Sequence, residues 1–94
     1  MTVRMTITRK PHVTACRLDG GVVHITIDGY ETVSTRDRVT TRIAHAYLYN
    51  DGFASGTIDS FDGEGREIRS KHLDESEVTN LIRQFDLWSH ASVA

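Results

Sequence analysis

Five histidines, at positions 12, 24, 45, 72 and 90, and one cysteine, Cys16, have the widest chemical repertoire in this chain of 94 residues. Helical zinc sites place two histidines four residues apart, and no pair here has that spacing. One cysteine supplies neither a thiolate cluster nor an internal disulfide. The sequence therefore predicts no metal site and no cofactor. His24 and Cys16 fall in two segments that read as neighbouring strands, so the pair invites comparison with Cys-His nucleophilic catalysis. That chemistry needs facing side chains, an activated thiolate and an orienting third group. The plainer expectation is a small buried cysteine beside a histidine on a polar face, with no catalytic residue.

The carboxylates invite two further comparisons. Asp59-Ser60-Phe61-Asp62-Gly63-Glu64 has the composition of a calcium loop but not its register, which needs ligands at positions 1, 3 and 5, glycine at 6 and glutamate at 12. Asp59, Asp62 and Glu64 also offer a pair of carboxylates of the glycosidase kind. A polar turn accounts for the same residues. Arg36, Arg38 and Arg42 have even spacing and so share one face of a strand, with Arg4 joining from another. Such a face suits anions, nucleic acid or an acidic protein. Tyr47, Tyr49 and Phe53 gather about Asn50-Asp51-Gly52, and Trp88 stands near the C-terminus; each reads either as packing or as an anchor for a protein partner. Glycine-rich phosphate loops and nucleophile elbows do not occur in the sequence.

Length and charge set the frame for these residues. A chain of 10.6 kDa has room for one core, and the reading places a single compact domain over residues 1–88. Apolar residues make up 38% and charged residues 26%, which is lean but not disordered. Apolar runs are short, so no membrane span is expected. Residues 1–10 alternate and lack the apolar centre of a signal peptide; a cytoplasmic protein is the expectation. Residues 1–49 hold seven basic and four acidic side chains, residues 50–77 three and eight, and residues 78–94 one of each. The resulting charge of −2 gives little general attraction to phosphate backbones.

The elements that must position these side chains are mostly strands. Val3, Met5 and Ile7 alternate with polar residues, the period of a half-buried strand. Residues 12–28 form a hairpin about Asp19-Gly20-Gly21, which Gly29 ends; residues 30–37 are strand or loop. Residues 38–49 fit a helical stripe and a strand, and their threonines and tyrosines favour the strand. Its one face carries Val39, Thr41, Ile43, His45, Tyr47 and Tyr49. Phe53 to Phe61 returns as its partner, with Gly56 a candidate bulge. Residues 66–73 form the last strand, anchored by Ile68. Asp74 and Glu77 then form a capping-box pattern, and Val78, Leu81, Ile82 and Phe85 make one helical stripe. Residues 89–94 read as a frayed tail.

The predicted fold is α+β: a mostly antiparallel sheet of five to six strands, arranged as a meander of hairpins, with one C-terminal amphipathic helix. In size and layout the chain resembles small accessory proteins of phages and mobile elements, including inhibitors of host machinery. That resemblance implies a module without catalytic residues that covers a surface of a larger protein. Homodimerisation through an edge strand is a second expectation. Nucleic-acid binding by the arginine face is the alternative function, and a small enzyme built on Cys16 and a histidine the third.

Overall fold

The computed structural model describes residues 5–7, 11–34 and 38–94, and the backbone alone for residues 5–7. The fold is α+β, with six antiparallel strands among the described residues and a helical C-terminus. The strands are β1 (Met5–Ile7), β2 (His12–Arg17), β3 (Val23–Ser34), β4 (Val39–Leu48), β5 (Ala54–Phe61) and β6 (Glu67–His72). They occupy five positions across the sheet, because β1 and β2 both pair with β3 along the same side. The alternation read over residues 3–7 coincides with a strand at Met5–Ile7; residues 1–4 lie outside the described residues. The helices are α1 (Glu75–Phe85) and α2 (Leu87–Ser92).

Strand β4 resolves the ambiguity at residues 38–49 in favour of the strand. It pairs along its length with β3 on one side and β5 on the other. Ala44, Ala46 and Leu48 are buried and alternate with half-buried Ile43, His45 and Tyr47, the period-two pattern that strand geometry requires. The buried set joins Val23, Ile25 and Ile27 of β3 beneath the helices. Burial of such aliphatic side chains, at roughly 1.5–3 kcal/mol each, is what joins sheet and helices. Among the described residues no helix lies over the opposite face, which carries His45 and Tyr47.

Several sequence expectations are corrected. Gly29 does not end its strand: β3 continues to Ser34, and the register shifts between Ile27 and Glu31. Gly29 adopts φ +74° there, a conformation that glycine reaches without strain, so the residue supplies an irregularity rather than a stop. Gly56 is not a bulge either, since it lies in regular register opposite Ala46. A Cβ on Gly56 would stand 2.9 Å from the His45 carbonyl oxygen and 3.1 Å from a Leu73 methyl; the residue permits close approach. The actual shift in this strand falls between Ser60 and Phe61. Ile68 is 50% exposed and anchors nothing, because β6 is an edge strand whose residues are all exposed. Leu73, just past its end, packs on the core instead.

The helical end follows its caps. Asp74 accepts a hydrogen bond from the Glu77 amide at 2.8 Å, and the Glu77 carboxylate accepts one from the Asp74 amide at 3.1 Å. This is the reciprocal capping box that the sequence pattern implies. Val78 and Leu81 are buried, and Ile82 and Phe85 pack beside the core. Asp86 then enters the left-handed region at φ 51° and ends α1 as a C-terminal cap. One helix therefore becomes two. The tail expected to fray is instead helical as far as Ser92, because Leu87 and Ala91 both face the core. Arg17 of β2 also donates to the carbonyls of Ala91 and Ala94, each at 3.4 Å. Among the described residues no helix is long and apolar enough to cross a membrane.

Candidate functional site

Two places in the fold gather side chains able to do chemistry. The first lies on the uncovered face of the sheet. Register sets His24 opposite Tyr47, and Thr26 opposite His45, across β3 and β4. The Nε2 of His24 lies 3.0 Å from the Nδ1 of His45. The Nε2 of His45 lies 3.3 Å from a carboxylate oxygen of Asp59 on β5. The other oxygen of Asp59 accepts a hydrogen bond from the Ser70 hydroxyl on β6 at 2.7 Å. Four neighbouring strands thus contribute one side chain each to a single polar chain.

The direction of that chain follows from the carboxylate. The carboxylate oxygen 3.3 Å from His45 Nε2 favours the tautomer with hydrogen on that nitrogen, which leaves a lone pair at Nδ1. Neutral His24 then donates from Nε2 and keeps its own lone pair at Nδ1. Tyr47 stacks on the His24 ring at a centroid distance of 4.6 Å and an angle of 5°, which fixes the imidazole plane. Burial, followed by repulsion from a His45 that is itself protonated, pushes the His24 pKa below its ordinary value of 6.5. A group whose folded pKa is depressed binds its proton more readily when the chain is unfolded. Its stabilising contribution is therefore present above pH 6.5 and is lost as pH falls through the lowered folded value. Thermal midpoints measured from about pH 8 to about pH 5 should fall on the acid side, and His24→Gln should flatten that fall. An unchanged pH profile in the variant would show that His24 does not carry it.

Sequence spacing did not reveal this chain, because His24, His45, Asp59 and Ser70 are joined only by strand pairing. The available signal was the shared parity of His45 and Tyr47 on one strand face. Cys16, the expected partner of His24, does lie directly opposite it on β2, but it is exposed and not the buried residue expected. Asp62 belongs to neither a calcium loop nor a carboxylate pair. It closes the turn before β6 by accepting from the amides of Glu64 and Arg66, each at 2.9 Å. Those bonds hold its carboxyl below the usual range. Among the described residues no group of three or more histidine, cysteine or acidic side chains is arranged to hold a metal ion.

The second place is a groove on the helix side, of about 580 Å³. Phe53, from the β4–β5 turn, and Trp88 of α2 both line it, together with Leu73, Val78 and Ile82. Asn50-Asp51-Gly52 builds the turn as expected: the Tyr49 amide bonds the Phe53 carbonyl at 2.9 Å, and Gly52 takes φ +90°. The turn leaves Phe53 63% exposed with its ring against Tyr49. Trp88 is 43% exposed, because the break at Asp86 turns Leu87 inward and Trp88 outward. Glu75 is the one charged residue in the lining among the described residues.

The structure therefore divides the residues singled out from sequence. Phe53 and Trp88 meet in one groove, Tyr49 supports Phe53, and Tyr47 belongs to the histidine chain on the other face. Arg36 and Arg4 lie outside the described residues. Arg38 is exposed. Arg42 lies on the helix side of the sheet and bonds Glu31 at 3.0 Å, in a hollow shared with Arg69, Lys71 and Glu77. Lys71 in turn pairs with Glu77 at 2.9 Å. The basic residues of this hollow are thus interleaved with carboxylates. No protein-family model matches this chain, and no curated protein or solved structure is significantly similar to it.

Proposed function

We propose that this chain is a small non-enzymatic protein-binding module that engages a larger partner through the groove between Phe53 and Trp88. The observation that carries the reading is the exposure of these two large aromatic side chains in the lining of one largely apolar groove. Aromatic side chains beside a pocket are what binding hot spots are made of, since they bury much area at low entropic cost. The occupant that fits is a partner segment with a bulky apolar side chain flanked by basic residues. Glu75 lines the groove, and Asp51, Asp74 and Asp86 lie in the segments that carry it, so the charges complement such a segment. Blocking a surface of a host protein in the cytoplasm, in the manner of a phage or mobile-element accessory protein, is the biological role proposed for it. The arginine face gains less support as a nucleic-acid surface, because Arg42 is committed to Glu31.

The test is capture of a partner by the tagged chain after nuclease treatment, followed by an affinity measurement on the purified pair. The paired variant Phe53→Ala with Trp88→Ala should weaken binding by roughly thirty-fold or more, the consequence of losing at least about 2 kcal/mol of anchor energy. Arg38→Ala with Arg42→Ala should leave it within a few-fold. Partners that disappear on nuclease treatment, or that bind the aromatic double variant as tightly as the native chain, would overturn the proposal.

A further inference from the structure

We infer that His24 and His45 form a two-imidazole site for a divalent transition-metal ion of the zinc, nickel and copper class on the uncovered face of the sheet. The two ring nitrogens that face each other, His24 Nε2 and His45 Nδ1, are 3.0 Å apart. Zinc–nitrogen bonds of about 2.0–2.1 Å at a tetrahedral angle hold two nitrogens roughly 3.3–3.4 Å apart. The rings, now head to head with centroids 5.2 Å apart and planes at 24°, would part by a few tenths of an ångström and turn so that both lone pairs converge on an ion in place of the shared hydrogen. Imidazole nitrogen is a donor suited to this class of metal.

The surroundings are those of a ligand held in place from behind. Metal-binding histidines as a rule give their other ring N–H to a carboxylate, which fixes the tautomer and raises the basicity of the ligating nitrogen. An Asp59 carboxylate oxygen stands 3.3 Å from His45 Nε2, the ring nitrogen away from His24, and Ser70 holds the second carboxylate oxygen at 2.7 Å. The stacked Tyr47 ring orients His24. On binding, His24 moves its hydrogen from Nε2 to Nδ1, exchanging it through solvent. His45 already has the required tautomer. Among the described residues no third ligating side chain joins the pair, so water or an added donor would complete the coordination. The site lies on the face opposite the Phe53–Trp88 groove and stands independently of the binding reading.

The test is titration of the metal-free full chain with zinc chloride, followed by calorimetry and by imidazole nitrogen spectra. The expected result is saturable binding that shifts the His24 and His45 signals. His24→Gln and His45→Gln should each abolish saturation, and Asp59→Asn should weaken affinity by roughly ten-fold or more. Circular dichroism checks that each variant is folded, and the spectra of the unmutated chain keep the inference testable if one is not. The inference is overturned if no saturable binding appears at millimolar zinc. It is equally overturned if His12, His72, His90 or Cys16 proves to be the ligand.

Discussion

Leu87→Ala should destabilise the chain by about 3 kcal/mol, within the range of about 2–5 kcal/mol seen for aliphatic truncation in a core. Leu87 is completely buried and lies in the same core cluster as Ile25, Ile27 and Leu48. It is also the first residue of α2, a helix of six residues that is too short to persist without tertiary contacts. Removing its side chain leaves a cavity and weakens the seat of the whole helix on β2 and β3. Chemical denaturation with an unchanged m-value would read the loss directly. Trp88→Ala, one residue away and 43% exposed, should cost clearly less. The pair separates folding from binding: Leu87 acts on stability, and Trp88 on the partner. Equal losses in the two variants would show that α2 does not divide its faces in this way.

Gly56→Val should be the second large effect, with a loss of about 1–3 kcal/mol from overpacking. The cause is the backbone, not a yielding side chain. A Cβ at residue 56 meets the His45 carbonyl oxygen at 2.9 Å, and that strand cannot retreat without disturbing its pairing with β3. The Gly56 carbonyl also accepts the Leu73 amide at 2.9 Å, so the same residue ties the entry of α1 to the sheet. Branching at Cβ adds contact with Leu73 and Val78 on the helix side. Gly56→Ala should show the same defect at smaller size. A valine variant as stable as the native chain would mean that helix and sheet can separate here at little cost.

The two candidate surfaces share one structural origin. A sheet covered by helices on one face has an uncovered second face, and in this chain that face is polar enough to stand in water. His24, Thr26, His45, Thr57, Asp59 and Ser70 all fall there by register. The hydrogen bonds among them satisfy groups that would otherwise be half-buried and unpaired. The apolar groove arises on the other face, where the β4–β5 turn projects beside the two short helices.

What the sequence determined by itself was local. Alternation over β2, β3 and β4, glycine at turns with positive φ, and the Asp74–Glu77 box each depend on neighbours within a few residues, and each appears in the structure. The choice of strand over helix at residues 38–49 was also legible, since threonine and tyrosine fit a pleated surface better than a helical one. Tertiary structure decided everything that depends on which strands meet. Gly29 reads as a terminator until β1 and β2 are seen to share the side of a single long β3. Leu87 and Trp88 read as one apolar extension until the left-handed Asp86 rotates one inward and the other outward. The chain from His24 through His45 and Asp59 to Ser70 spans 47 residues of sequence, yet each contact in it is the width of one strand pairing. Spacing along a chain cannot report such contacts, because in an antiparallel sheet adjacency is set by register and not by separation.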